Sequence, residues 1–462
     1  MLKLDAADIQ GFAMRGYTFP VARYVLMEIA GAKAGQALLL RILEQITTAE
    51  RWDVKPDSTL NVAFTYAGLV KLGLPDATLL SFPVEFVQGM KARAPILEDT
   101  GRSAPETWDP VWLESQVHAW VGIYGASPAV LDRRCAVLRK FLEDTGGARI
   151  LYEQDASLLP DPRGNGYGAK EHFGYTDGFG NPDFEGADRK SQPGQGKLTS
   201  DGKWVPLATG EFLLGYPDEA GELPVAPVPH LLAKNGTFMV YRKLHQNVAT
   251  FRRYVKEHGS RYAGGEEKLK AKFVGRWPDG TPLELSPDKE DSSVVKDPNR
   301  NTNFIYGNDP EGVRCPVGAH MRRVNPRDAF GFGGALINRR RIMRRGLPYG
   351  GYTSPDQPAN DSGDHGVIFI VLNASIFRQF EFVQQQWIQY GNDSRQGSDR
   401  DLLLGTHDGS GRFMIQGDRD PSNPPYMCTG LPSFVETRGG DYFFMPSLTA
   451  LRLIATDAVD PR

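Results

Sequence analysis

A chain of 462 residues exceeds what one hydrophobic core fills, so two domains are expected. Hydrophobic residues at 40%, charged residues at 24% and aromatics at 10% place it among folded globular proteins. Lys+Arg number 53 against 56 Asp+Glu, a formal charge of −3, which excludes the chain-wide basic field that phosphate binding requires, and no nucleic acid partner is expected.

In chain order, a β-like run is read at "IQGFAMRGY" (9–17), then "GQALLLRILEQI" (35–46), whose apolar residues recur at helical spacing. The strand-like "LNVAFTYAG" (60–68) follows, and after a Pro-rich excursion "VHAWVGIYG" (117–125) alternates apolar residues as a half-buried strand does. The helical "LDRRCAVLRKFLED" and the strand-like "ARILYEQ" complete a β-α-β-β-α-β order, which is ferredoxin-like.

Beyond a Gly/Pro-rich stretch at 156–236 the order begins again. "TFMVYRKL" reads as a strand, "QNVATFRRYVKE" as a helix and "HGVIFIVLNAS" as a strand. Ile376, Phe380, Val383 and Trp387 of "SIFRQFEFVQQQWIQY" then share one helical face, and "RFMIQG" and "GDYFFMPS" are the last strand candidates. The expected class is α+β: two ferredoxin-like domains with antiparallel sheets, 1–220 and 221–462, the second interrupted by a long insertion from about 280 to 360.

The first residues, "MLKLDAADIQGFAMRGY", include early acids and no apolar core of signal-peptide length, and the longest apolar run, "VIFIVL" (367–372), is too short to cross a bilayer. A cytoplasmic protein without a membrane partner is expected, with secretion of a processed form left open. Cys135, Cys315 and Cys428 are far apart and form no CxxC pair, so they read as buried free thiols; the lack of CxxCH excludes the usual covalent c-type haem attachment.

"SQPGQGKLTS" fails as a phosphate loop, because Ser191 and Leu198 stand where Gly and Ser or Thr are needed. "GFGGAL" (331–336) lacks dinucleotide-binding spacing, and no HExxH, EF-hand loop or GxSxG elbow appears. Three features survive: Asp177 in "GYTDGFGNP", His320 in "CPVGAHMRRVNPRD" and the arginines of "INRRRIMRRGLPYG". Taken singly they read as a turn, a structural histidine and a solvated face. Together they suit a metal macrocycle. A neutral imidazole holds haem iron in many proteins, with small Gly318 and Ala319 beside His320 giving room for a planar group, and Arg322, Arg323 and Arg327 are candidates to pair with propionates. Peroxide cleavage then needs a proton-shuttling group and a fixed cation, which an Asp and an Arg supply.

"GYTDG", "GAHMRRVNPR" and "RIMRRGLPYG", in that order, resemble the dye-decolorizing peroxidases, whose signature is GxxDG followed by a proximal His and a distal Arg. "NVAFTYAGLVKLGL", "NGTFMVYRKLHQNVATF" and "FRQFEFVQQQW" also look like this family, so the resemblance spans nearly the whole chain. It implies a pair of ferredoxin-like domains of the dimeric α+β barrel type, with one non-covalent haem b in the C-terminal domain. His320 is implied as the iron ligand, Asp177 as the distal acid–base residue, and Arg344, four residues before Pro348 of "PYG", as the distal arginine. Gly178, Phe179 and Gly180, then Arg323, Arg327 and Arg345, and Val367 and Phe369 are implied to surround the haem. One branch of the family places an acid behind the ligating imidazole at a strand end, where this chain reads "VLNASI"; Asp401 of "DLLLG" is the candidate here, its alternative reading being a turn cap. The implied activity is reduction of hydrogen peroxide coupled to one-electron oxidation of dyes, phenolics or similar donors, by a monomer or homodimer. Surface Tyr or Trp residues are candidate electron entry points, without a choice among them. A haem carrier or iron-release protein is the rival, and a haem-free relative of the family is the third reading.

Overall fold

The computed structural model describes residues 3–160, 170–187, 191–354, 357–417 and 424–460. The first repeat runs β1 (Val21–Ile29), α1 (Ala32–Leu43), β2 (Ser58–Phe64), β3 (Ala119–Gly125), α2 (Pro128–Thr145) and β4 (Ala148–Ser157). α2 starts where Ser127 Oγ accepts Val130 N–H, has Pro128 at its first position, and stops at left-handed Gly146. The second repeat runs β5 (Thr237–Gln246), α3 (Val248–Gly259), β6 (Met343–Arg344), β7 (Leu347–Tyr349) and β8 (Gly366–Asn373), then a widened helix, a hairpin of β9 (Asp408–Ile415) and β10 (Tyr426–Pro432), and β11 (Val435–Met445).

Both repeats have the same strand order. One sheet runs β4-β1-β3-β2 and continues β11-β5-β8-β6, with β7 also on β8 and every pairing antiparallel. The repeats join where Phe64 of β2 faces Phe444 of β11. At the far side β4 lies against β7, and Tyr124 Oη donates to Arg345 O at 3.1 Å, so the two outer edges approach each other as in a barrel. Phe12, Tyr24, Trp120, Tyr241, Phe443 and Phe444 fill the shared core.

Three local differences from the sequence reading have physical causes. "IQGFAMRGY" holds the short helix Gly11–Met14, and the first strand is Val21–Ile29, whose burial on both faces leaves no alternation to read. "RFMIQG" belongs to the β9/β10 hairpin, outside the main sheet. β6 and β7 fall within the stretch read as an insertion, because two- and three-residue strands carry no periodicity. The helical face expected from Ile376 to Trp387 is buried as read, but the segment winds as two π-helical pieces, Ile376–Glu381 and Val383–Gln389. No described helix is long and apolar enough to cross a membrane.

Candidate active site

Asp177 sits on a loop that bends through Gly178 at φ 98° and Gly180 at φ 73°, left-handed values that glycine adopts without a Cβ penalty. Arg344, on the edge strand β6, reaches that loop. Its Nη1 donates to Asp177 Oδ1 at 2.7 Å, its Nη2 to Phe179 O at 2.7 Å, and its backbone N–H to Asn181 Oδ1 at 3.0 Å. Gly178 N–H adds a bond to Asp177 Oδ1 at 2.6 Å. Asp177 keeps 53% of its side-chain surface accessible because it faces a cavity of about 300 Å³. Burial among the walls pushes its carboxyl up, but the Arg344 guanidinium and the Gly178 N–H outweigh that and hold it below the usual carboxylate value.

His320 lines the same cavity from the start of the short helix His320–Val324. Its Nδ1 lies 3.1 Å from both carboxylate oxygens of the fully buried Asp401. Asp401 Oδ1 also accepts Leu403 N–H at 3.0 Å and Leu404 N–H at 2.8 Å, so the turn-cap role and the partnership with His320 coexist in one carboxylate. Burial pushes Asp401 up, and His320, Arg323 and the Leu404 N–H together bring it below its usual value. A carboxylate on Nδ1 assigns the imidazole proton to that nitrogen and leaves the Nε2 lone pair for a metal.

The other residues singled out in the sequence divide. Phe179, Gly180, Arg327, Val367 and Phe369 line the cavity; Gly178 shapes the loop behind it. Arg323 turns away, donating to Trp387 O, Asp399 O and Tyr390 O, and Arg345 donates to Phe12 O, Arg344 O and Met343 Sδ. Arg322 is bound to Asp309 and Cys315 O. Trp108, Trp112, Trp277 and Trp387 are buried, so none of them meets a bulky surface donor directly.

Besides Arg327, Arg344 and the Asp99-bound Arg242, two more arginines line the cavity, Arg276 and Arg341. Arg276 follows the left-handed Gly275 that ends the helix Gly265–Val274, and no motif marks it; Arg341 is one of a run whose members sequence alone does not separate. Arg276 donates to Gly280 O and Asn301 O and packs 4.9 Å from the Phe179 ring centroid. Burial and the charge of Arg327 and Arg344 push both guanidiniums down to about 9, so both stay cationic at neutral pH. Arg276, Arg327 and Arg341 make no ion pair among the described residues. This uncompensated positive charge, the apolar wall of Val367, Phe369, Ile388 and Leu403, and an imidazole with a free Nε2 fit a large flat group with carboxylate substituents and a metal, as haem is.

Comparison with known proteins identifies the family. The family model "DyP dimeric alpha+beta barrel domain" matches residues 8–150. Over 450 residues the chain is 30% identical to a dye-decolorizing peroxidase of Mycena epipterygia, covering 90% of this chain and 80% of that one. The chain belongs to the dye-decolorizing peroxidase family. It is therefore a peroxidase, of a family whose members are haem enzymes. A multifunctional dye peroxidase of Amycolatopsis sp. is 33% identical over 337 residues, 68% of this chain and 67% of its own. Among solved structures, an ancestral D-type dye-decolorizing peroxidase superposes with a TM-score of 0.83 at 29% identity over 98% of this chain and 99% of its own. A dye-decolorizing peroxidase in complex with 2,6-dimethoxyphenol gives 0.82 at 27% identity over 98% and 100%.

Proposed function

We propose that this peroxidase reduces hydrogen peroxide with one non-covalent haem b on His320 and takes electrons singly from dyes or small phenols. The observation that carries the reading is the 2.7 Å pair of Asp177 and Arg344 in the cavity that also holds His320 backed by Asp401. Bound there, haem would supply the redox-active iron that peroxide reduction requires.

The side chains do the rest. His320 Nε2 ligates, and Asp401 fixes the tautomer and strengthens the donor. Arg276, Arg327 and Arg341 hold the propionates. Asp177, ionised at neutral pH, accepts a proton from one peroxide oxygen and returns it to the other, while Arg344 neutralises the charge on the departing oxygen. Val367 and Phe369 keep the surroundings apolar and limit water. A family member's complex with 2,6-dimethoxyphenol supports small aromatic reductants.

The test is an absorption spectrum of the purified protein followed by peroxide and 2,6-dimethoxyphenol. A Soret band and steady turnover are expected; haem bound without turnover refutes the proposed cycle with phenolic reductants. Asp177→Asn should slow the peroxide reaction by roughly 10²- to 10⁴-fold in stopped flow, and an unchanged rate removes Asp177 from the chemistry.

A further inference from the structure

The cavity holds a second carboxyl near Asp177. Glu171 opens the loop that carries Asp177: its N–H donates to Tyr175 O at 3.1 Å and its carbonyl accepts Gly174 N–H at 2.9 Å. Its carboxyl meets Phe173 N–H at 2.9 Å, Tyr175 N–H at 2.8 Å and the Gln246 amide at 2.5 Å. Among the described residues no Lys, Arg or His forms an ion pair with it. Lys170 donates to Thr176 Oγ1 and Pro278 O, the His172 ring is bonded to Tyr349 O, and the charge bearing on Glu171 is that of Asp177. Burial pushes Glu171 above the usual carboxylate value, whereas Asp177 is held below it. Environments that push two carboxyls apart in this way divide acid and base roles between them.

From Glu171 the polar lining continues along one face of β5. Gln246, Leu244 and Arg242 point to that face, with Arg242 about 13 Å from Gln246. Arg242 Nη2 donates to both Asp99 and Thr437. Gln246 Oε1, Arg242 Nε and Nη1, and Asp99 Oδ2 are buried without a protein partner. Gln246, Arg242 and Asp99 expose 4%, 2% and 5% of their surface, and all three line the cavity that Asp177 faces. Buried polar atoms are nearly always hydrogen-bonded, and a roomy polar site meets that need with water.

We propose that Glu171 is a proton-relay residue acting through Asp177, supplied by water held along Gln246, Thr437, Arg242 and Asp99. The proposal rests on the reading of Asp177 as the acid–base group. Peroxide reduction is H₂O₂ + 2 H⁺ + 2 e⁻ → 2 H₂O: the O–O bond breaks, the electrons come from two reductant molecules, and two protons are taken up. A phenol releases a proton with each electron, but ferrocyanide gives the electron alone, so both protons then enter from solvent. Glu171 hands its proton through water to Asp177 and is reprotonated from the water behind it, ending the cycle unchanged.

Infrared difference spectra of the purified protein, wild type minus Glu171→Gln, read the relay without turnover. A protonated carboxyl band that shifts in D₂O is expected to persist above the pH at which an ordinary glutamic acid loses its proton; its disappearance at the ordinary value makes Glu171 an ionised anchor of the loop and overturns the relay. In turnover, Glu171→Gln should lose about tenfold with ferrocyanide, increasingly so as pH rises, and less with a phenol, while Glu171→Asp recovers most of the rate and replaces the Gln variant if that fails to fold. Equal losses with both reductants indicate a structural role and also overturn the proposal. If Asp177→Asn is slow and Glu171→Gln is not, only the relay falls; if Asp177→Asn reacts at the wild-type rate, the acid–base reading falls with it.

Discussion

Asp177 is held ionised by Arg344 and Gly178, which has a consequence for pH. Its protonated fraction grows only as the pH approaches its lowered value from above, so any step in which it must donate accelerates on acidification. Turnover with 2,6-dimethoxyphenol should rise from neutral to acidic pH, and a flat profile in Asp177→Asn would tie the slope to this group. Behind His320, Asp401→Ala leaves the N–H groups of Leu403 and Leu404 without their acceptor, and also the imidazole N–H of the partly exposed His320. Each stranded group costs about 1–3 kcal/mol, so urea denaturation of the cofactor-free protein should show a loss of at least about 2 kcal/mol. The residue types of this site were legible in the sequence, because GxxDG, a histidine among small residues and an arginine before "PYG" stand in a specific order. That Asp401 supports His320 from 81 positions away was open, since nothing local distinguishes a turn cap from a partner for an imidazole.

β6 and β7 are the elements that set Arg344 against Asp177. Gly346 joins them so closely to β8 that a Cβ there would lie 1.7 Å from Ile368 O. Gly346→Ala must push the edge strands off β8, costing about 1–3 kcal/mol and shifting Arg344. A lowered melting temperature together with a slower peroxide reaction in the folded fraction is expected; a normal reaction would show that Arg344 keeps its place without this contact. Long periodic helices such as α2 and α3 could be read from spacing. β1, buried on both faces, and the very short β6 and β7 could not, because neither presents a two-residue period against solvent. The π-helical winding of 376–389 is likewise absent from an apolar pattern that an ordinary helix satisfies equally well.

For the whole molecule, stability carries a pH term from Glu284, buried beside Asp309 and pushed by burial up to about 8. The folded chain keeps this proton while the unfolded chain releases it at an ordinary carboxylate value near 4.3. The stability it contributes is therefore complete below that value, declines as pH rises towards 8 and is gone above it. Glu284→Gln removes the term, so its melting temperature relative to wild type should improve more in alkaline than in acidic buffer; an equal difference at both would place the titration elsewhere. The sequence by itself determined the class, α+β with a strand–helix order that recurs in the second half, through apolar periodicities that act over a few residues and a family signature in fixed order. The tertiary structure decided which arginines line the cavity. Arg323 and Arg345 resemble Arg327 and Arg344 in sequence, yet the first two are bound to backbone carbonyls away from the cavity while Arg276, unmarked by any motif, lines it. A guanidinium's reach depends on which carbonyls and walls the distant segments bring to it, and that arrangement exists only once the sheet has closed.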